Sequence, residues 1–276
     1  MTTDPEHLEL PLAGGDVTEG VVRVGRTVRR PVSDTSTVVR RVLAHLHDVG
    51  FVGAPRFLGV DEEDRDILDF VEGEVAGRPW PGWVADPERV ASVARLVREF
   101  DDAMEPLGVP PWAERPYSPD IAGLPAPIAG PPTFIGHLDI TPENVVFRDG
   151  RAWALIDFDL ARPATRAEEV SNMLLWWGGW MPEADREAAT RDVDPAVAGA
   201  LIVTAYGLEE AERSNLVELA SNLADRSWFL MKWRAETMGG GWLRMWEEGA
   251  GDRILRRAQW LRDHRKDLQR AVGAAR

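Results

Sequence analysis

Three oxygen-bearing side chains follow one another at short intervals in the middle of the chain. Asp139 lies two residues after His137, Asn144 follows five residues later, and Asp157 ends the next apolar run. Phosphoryl transfer from a nucleoside triphosphate needs a carboxylate that receives a hydroxyl proton, and oxygen ligands that hold Mg²⁺ on the phosphates. Mg²⁺ prefers hard oxygen donors, and phosphate and water complete its coordination. A loop with Asp139 and Asn144, followed by a strand that ends in Asp157, would supply all of these groups.

The segments beside this loop predict one hairpin. Residues 145–147 and 152–158 are apolar runs that predict short strands around a turn at Asp149-Gly150. Such a hairpin would let Asn144 and Asp157 reach the same ion. Asp139 could instead do no more than cap a turn, but the downstream asparagine and carboxylate favour the chemical interpretation.

The first seventy residues predict a small antiparallel sheet with one helix. Alternating polar and apolar residues predict strands at 21–24, 27–30, 57–60 and 67–71, with a turn near Gly25-Arg26. A helix is predicted over 34–48, because its apolar residues recur at helical spacing. The pattern breaks at Glu72-Gly73.

The rest of the chain is predicted to be mostly helical. An amphipathic helix is expected over 87–104, and residues 106–132 form either an ordered loop or a flexible insertion, since they are rich in proline and glycine. Almost everything from Glu168 onward has a helical pattern. Eight of the twelve tryptophans lie in that part of the chain.

The motif HxDxxxxN, followed by IDFD at residues 156–159, resembles the aminoglycoside phosphotransferase and choline kinase-like family. The resemblance covers most of the chain. It implies an α+β, bilobal protein-kinase-like fold, with a small antiparallel β-sheet N-lobe and one main helix at 1–71. A larger, mostly α-helical C-lobe would occupy 72–276, and the hinge would lie at about 69–73.

The same resemblance implies an activity. The protein would be a Mg²⁺-dependent phosphotransferase that moves the γ-phosphoryl group of ATP or GTP to a hydroxyl of a small molecule. Antibiotic resistance or natural-product modification would be its setting. Its partners would be the nucleoside triphosphate and the small hydroxyl acceptor.

Residue roles follow from the resemblance as well. Asp139 would be the catalytic base, and Asn144 and Asp157 would be the Mg²⁺ ligands. Asp69 and Val71, at the hinge, would contact the nucleotide.

Three further residues would support the site. His137 would hold the loop rather than act as an imidazole catalyst. Glu169 would anchor the catalytic loop, at a position where aspartate is usual. Asp159 would either assist as a metal ligand or shape a turn.

The N-lobe departs from the family pattern. The family's lysine, which contacts the α- and β-phosphates, has no counterpart, because no lysine precedes Lys232. Arg29 or Arg30 is the stand-in, and strand alternation puts the two on opposite faces. Arg29 is preferred, since Arg30 precedes Pro31. The helix over 34–48 also lacks the glutamate that would pair with the lysine.

These departures keep a second function open, a non-catalytic kinase-like ligand-binding protein of the bacteriocin-immunity type. The glycine-rich residues 14–20 could cover phosphates with backbone N–H groups or form an ordinary hairpin turn.

The charge of the C-terminal residues and the positions of the tryptophans indicate what kind of acceptor the protein would bind. Residues 215–276 contain 12 Lys or Arg against 8 Asp or Glu, a balance of +4, which disfavours a polycationic acceptor. A tryptophan-lined pocket would favour a ring-bearing or apolar acceptor, although tryptophans at helical spacing usually pack in a core. The candidates for this pocket are Trp176, Trp177, Trp180 and Trp228.

Composition excludes several other classes of protein. The net charge of −14 argues against a nucleic-acid partner, because phosphate binding requires clustered cations. The lack of cysteine excludes disulfides and thiolate chemistry and fits a cytoplasmic setting. No apolar run approaches the ~20 residues of a membrane span, so no membrane association is expected. The motifs GxxxxGK[ST], HExxH and GxSxG are all missing from the sequence.

Overall fold

The computed structural model describes residues 8–12, 20–113 and 121–275. Five strands near the N-terminus form one antiparallel sheet with the order β1-β2-β3-β5-β4. These strands are β1 (Glu9–Pro11), β2 (Val22–Val24), β3 (Thr27–Pro31), β4 (Phe57–Val60) and β5 (Arg65–Asp69). Helix α1 (Ser36–Asp48) connects β3 to β4 and buries its predicted apolar face, Val38, Val42, Leu43 and Leu46.

The remainder of the described chain is mainly helical, with four short strands that frame the motif. These strands are β6 (Phe134–Gly136), β7 (Val145–Arg148), β8 (Arg151–Leu155) and β9 (Arg162–Ala164). Strand β6 pairs with β9, and β7 forms a hairpin with β8. The helices are α2 (Pro87–Met104), α3 (Arg166–Trp176), α4 (Pro195–Tyr206), α5 (Glu210–Arg213), α6 (Leu216–Met238), α7 (Gly240–Glu247), α8 (Ala250–Asp263) and α9 (Arg265–Ala274).

The predicted α+β architecture, a small antiparallel sheet followed by a helical region, is confirmed. Helix α2 has the predicted bounds because Asp86 caps it, accepting a hydrogen bond from the Glu88 N–H at 2.8 Å, and Pro87 occupies its first turn. Strand β8 ends at Leu155, three residues before the predicted end. The strand cannot continue through Asp157, because that residue has a φ of +63°.

The proline- and glycine-rich segment is only partly described. Residues 121–132 form an irregular loop that is bonded to α6, where the Asn222 amide donates to the Ala126 carbonyl at 3.0 Å. The glycine-rich turn predicted over 14–20 lies, except for Gly20, outside the described residues. In the described part of the chain, no helix combines the length and the apolar character that crossing a bilayer requires.

We propose that the boundary between the two lobes lies at the predicted hinge, 69–73. Strand β5 ends at Asp69, and Gly73 follows with a φ of +154°. The next residue, Glu74, already pairs with Phe147 on β7, through N–H···O bonds of 2.8 and 2.7 Å. The chain therefore changes from the sheet of the N-lobe to the hairpin of the C-lobe within five residues.

Gly73 tests this connection. A Cβ atom there would lie 2.5 Å from the Phe147 carbonyl oxygen, so we expect Gly73→Ala to lower the free energy of unfolding by about 2–4 kcal/mol. The matched control is Gly77→Ala, because a Cβ at exposed Gly77 meets no atom within 4 Å. Denaturant unfolding measures both variants. Equal losses of unfolding free energy in the two variants would show that the close approach of Gly73 to Phe147 does not restrict the residue at this position.

Candidate active site

The loop that carries Asp139 leaves β6 with an unusual backbone conformation. Leu138, between His137 and Asp139, has a φ of +58°, which side chains larger than glycine seldom adopt. A short 3₁₀ turn, Pro142–Asn144, then leads into β7. The left-handed residue turns the chain so that the Asp139 carboxylate and the Asn144 amide meet.

His137 holds this loop to the neighbouring strand. Its Nε2 lies 3.0 Å from the Ile156 carbonyl oxygen, and its Nδ1 lies 3.3 Å from the Asp139 backbone N–H. This arrangement requires a proton on Nε2 and a lone pair on Nδ1, which is the neutral imidazole. Burial lowers the pKa of His137 to about 4, so the neutral ring is also the stable form. Both ring nitrogens are therefore engaged in structural bonds.

Helix α3 holds the same loop from the other side. The buried Glu169 carboxylate accepts hydrogen bonds from the backbone N–H groups of His137 and Leu138. Asn172 accepts from the Ile140 N–H at 2.7 Å and donates to the Leu138 carbonyl at 2.9 Å. The backbone on both sides of Asp139 is thus bonded to two side chains of one helix.

The role of Asn172 was not predicted from the sequence. Its spacing from Glu169, three residues along a helix, puts both on one face, but it does not show that this face packs against the Asp139 loop. Trp177, just after α3, is a third side chain bonded to this loop, because its indole N–H donates to the Ile140 carbonyl at 2.8 Å.

Asn144 is bonded directly to Asp139. Its Nδ2 donates to both the backbone carbonyl and the Oδ2 atom of Asp139, each at 2.9 Å. Both hydrogens of the side-chain amide are used in this way. The side-chain oxygen, Oδ1, takes no part in these two bonds and can serve as a metal ligand.

Asp157 reaches the same place from the β7–β8 hairpin. The backbone N–H of Ile156 donates to the backbone carbonyl of Asn144 at 2.9 Å, so the segment with Asn144 and the segment with Asp157 lie side by side. Asp157 then takes its left-handed conformation, with φ +63° and ψ +74°. Aspartate tolerates this conformation better than most residues do. A left-handed conformation in a residue other than glycine is typical of functional sites.

The surroundings of Asp139 disfavour its ionised form. Burial, and next the negative charge of Asp157, raise the pKa of Asp139 to about 7. The Asn144 hydrogen bond opposes this shift because it favours the ionised form. Beneath the loop, burial also raises the pKa of Glu169.

Arg30, and not Arg29, faces these carboxylates. The Arg30 Nη2 atom lies 3.1 Å from Asp157 Oδ1 and also contacts Asp159 Oδ2. Arg29 points to the opposite face of β3, where its Nε lies 3.4 Å from Asp61 Oδ2. The preference for Arg29 is therefore wrong, because the strand alternation has the phase opposite to the one expected, and Pro31 does not remove Arg30 from the cleft.

The two hinge residues differ in what the structure shows. The Asp69 carboxylate accepts a hydrogen bond from the backbone N–H of Arg56, just before β4, and so connects the end of β5 to the start of β4. Val71 follows β5 and is half-buried. A nucleotide contact by Asp69 or Val71 stays a prediction.

The predicted tryptophan pocket is wrong for two of its four residues. Trp177 and Trp180 are 1% and 0% exposed, so they are core residues that no acceptor can reach. Trp228 lies on α6 and packs against Trp246, with ring centroids 5.8 Å apart. Trp176 is half-buried and contacts Trp80, whose indole N–H donates to Glu143 at 2.8 Å, in the loop that carries Asp139.

The oxygen atoms present suit Mg²⁺ held jointly with phosphates. Among the described residues, no group of three or more His, Cys, Asp or Glu side chains could hold a metal by itself. Asp157 is one-third exposed, and Asn144 lies on the neighbouring segment, because the N–H of Ile156 donates to the backbone carbonyl of Asn144. One carboxylate and one amide oxygen agree with the way proteins bind Mg²⁺ together with nucleotide phosphates and water.

Comparison with known proteins gives both sequence and fold relationships. A sequence model of the phosphotransferase enzyme family matches residues 118–201. The trifolitoxin immunity protein of Rhizobium leguminosarum bv. trifolii is 30% identical over 216 residues, which cover 76% of this chain and 78% of that protein.

Solved structures confirm the predicted protein-kinase-like fold. A choline/ethanolamine kinase family protein from Mesorhizobium loti is similar with a TM-score of 0.60 and 14% identity, covering 98% of this chain and 94% of that chain. An aminoglycoside phosphotransferase from Alicyclobacillus acidocaldarius is similar with a TM-score of 0.52 and 15% identity, covering 98% and 92%.

The raised pKa of Asp139 predicts a pH-dependent stability. Unfolded Asp139 loses its proton near pH 4 and the folded residue near pH 7, so its ionisation destabilises the fold as pH rises between these values. We expect Asp139→Asn to raise the free energy of unfolding by about 2–4 kcal/mol at pH 8, and by less at pH 5.5. Denaturant unfolding at both pH values, without metal or nucleotide, measures this gain.

The control for this prediction is Asp149→Asn, on the exposed turn of the β7–β8 hairpin. It should have no effect at either pH. An Asp139→Asn variant that is less stable than wild type at pH 8 would contradict the predicted cost of the buried carboxylate.

Proposed function

Because the chain belongs to the phosphotransferase enzyme family, we propose that it transfers the γ-phosphoryl group of ATP or GTP to a hydroxyl group of a small molecule, with Mg²⁺ as cofactor. One observation carries the proposal. A carboxylate with a pKa near 7, Asp139, is held beside two oxygen donors, Asn144 and Asp157, by a loop whose backbone is bonded to α3.

Asp139 is the proposed base. A catalytic base works best when its pKa lies near the operating pH, because it is then ionised yet still basic enough to accept a proton. The acceptor hydroxyl gives its proton to an Asp139 oxygen while its own oxygen forms a bond to the γ-phosphorus. The bond between the γ-phosphorus and the bridging oxygen breaks, and its electron pair leaves with the nucleoside diphosphate.

Asn144 and Asp157 are the proposed Mg²⁺ ligands. The bound metal would neutralise charge on the phosphate oxygens. The protein fixes the positions of these donors with two hydrogen bonds. The N–H of Ile156 donates to the backbone carbonyl of Asn144, and the Asn144 side-chain amide donates to the backbone carbonyl of Asp139. Metal ligand and base are thereby kept in one rigid unit.

The proposed acceptor binds near Trp176, which is half-buried, whereas the neighbouring Trp80 is 7% exposed and supports the Trp176 ring from within the core. The two rings meet edge to face, with centroids 6.4 Å apart, and Glu143, the hydrogen-bond partner of Trp80, immediately precedes Asn144. Aromatic walls favour a ring-bearing or apolar acceptor. The balance of +4 in residues 215–276 supports the same preference over a polycationic one.

The role of Asp139 predicts the effect of its removal on turnover. Asp139→Asn should stay folded and lower turnover by ~10²–10⁴, because proton acceptance is lost while the shape of the side chain is kept. Release of nucleoside diphosphate from Mg·ATP and Mg·GTP, with water and with a panel of ring-bearing alcohols, measures this loss. Asp149→Asn serves again as the control. Unchanged turnover in Asp139→Asn would remove the carboxylate from the mechanism.

A second candidate function is immunity to a peptide toxin without phosphoryl transfer. The 30% identity to the trifolitoxin immunity protein favours it. So does the missing lysine, since Arg30, its only replacement at this position, is bonded to two carboxylates of the site.

Protection assays separate the two functions. Trifolitoxin-sensitive cells that express the wild-type chain should survive the toxin if the second function holds, and Asp139→Asn should then protect equally well. Protection by wild type but not by Asp139→Asn would instead join immunity to phosphoryl transfer. Full sensitivity with both proteins would reject immunity to this toxin.

A further inference from the structure

The helix that should supply a partner for the N-lobe cation has none. In protein kinases a strand lysine is positioned by an ion pair with a glutamate of the following helix. Helix α1 contains no glutamate, and its one acidic residue, Asp48, lies at its last position. The carboxylate that positions Arg30 must therefore come from another element.

Arg30 is a largely buried cation. Its side chain is only 10% exposed, and a guanidinium group in such a place requires carboxylate partners to offset its loss of hydration. Two carboxylates that contact it are those of Asp157 and Asp159, which lie two residues apart beyond β8. Arg30 thus joins the N-lobe sheet to the metal-binding motif of the C-lobe.

Asp159 also contacts α1. Its Oδ1 accepts a hydrogen bond of 2.9 Å from the hydroxyl of Thr35, the residue at the N-terminal cap of that helix. Its other oxygen contacts Arg30. One carboxylate therefore holds both the strand with the cation and the start of the helix.

We infer that Asp159 replaces the missing helix glutamate and acts as the positioning residue for Arg30. The inference rests on the proposed function, and it separates the two acids of the IDFD segment. Asp157 is the proposed metal ligand, whereas Asp159 keeps the guanidinium in the cleft, where it can reach the nucleotide phosphates. Because Asp159 belongs to the C-lobe, Arg30 is in position only when the two lobes are together.

The chain offers matched variants for each contact. Asp159→Asn keeps an oxygen for Thr35 but removes the charge that holds Arg30. Thr35→Val removes the hydroxyl and leaves the ion pair. Arg30→Met removes the cation at similar length, and Arg30→Lys restores a charge with a single contact point. The control is Asp64→Asn, on the exposed turn between β4 and β5, where asparagine tolerates the φ of +56°.

The test is the affinity for adenylyl or guanylyl imidodiphosphate, measured by calorimetry across a Mg²⁺ series. We expect Asp159→Asn and Arg30→Met each to weaken binding about tenfold, and the double variant to be no weaker than Arg30→Met alone. Arg30→Lys should recover part of the loss, Thr35→Val should lose about threefold, and Asp64→Asn should bind like wild type.

Three results would overturn the inference. Wild-type affinity in Asp159→Asn would show that the carboxylate does not position the cation. Multiplying losses in the double variant would show that the two residues act independently. A change confined to the Mg²⁺ concentration at half-saturation would make Asp159 a metal ligand instead.

A thermal-unfolding cycle distinguishes failure of the inference from failure of the proposed function. If wild type binds neither analogue, the proposed function fails, and the same variants are compared without nucleotide. The ion pair predicts that Arg30→Met and Asp159→Asn each lower Tm, and that the double variant falls no further than the worse single variant. A double variant whose Tm falls by the sum of the two single decreases would show that Arg30 and Asp159 do not form a stabilising ion pair.

Discussion

The candidate site depends on one buried carboxylate that bonds to the backbone of the loop carrying Asp139. Glu169 accepts hydrogen bonds from the N–H groups of His137 and Leu138, and so stabilises a loop in which Leu138 has a positive φ. Burial would favour the protonated acid, but the two N–H donors favour the ionised one. Because α3 also supplies Asn172, the position of Asp139 is set by one rigid helix rather than by the loop itself.

A second constraint is the concentration of negative charge in the cleft. Asp139, Asp157 and Asp159 lie close enough for the charges of the last two to raise the pKa of the first. Arg30 offsets part of this repulsion through its contacts to Asp157 and Asp159. A divalent cation would offset more, so the same repulsion that raises the pKa of Asp139 also favours metal binding. The proposed base and the proposed metal site are electrostatically coupled.

Local patterns were enough to predict much of this protein. Strands β2 to β5, α1, α2 and the β7–β8 hairpin follow from periodicity and capping, whereas β1 was not predicted. The residues of the motif are adjacent enough in sequence to be recognised. The choice between Arg29 and Arg30 could not be made in the same way, because it depends on which face of β3 meets the C-lobe more than 120 residues later. Asn172 and the burial of Trp177 and Trp180 likewise depend on how α3 packs, which spacing along one helix does not determine.

A crystal structure with Mg²⁺ and a non-hydrolysable nucleoside triphosphate analogue would show directly whether Asp139, Asn144, Asp157 and Arg30 form one phosphoryl-transfer site. We expect Mg²⁺ bound to an Asp157 oxygen and to the Asn144 side-chain oxygen, and a γ-phosphate facing Asp139. The Arg30 guanidinium should contact the phosphates with Asp159 still beside it. A nucleotide bound away from Asp139, or a cleft in which Arg30 remains bonded to Asp157 and excludes the metal, would contradict this expectation.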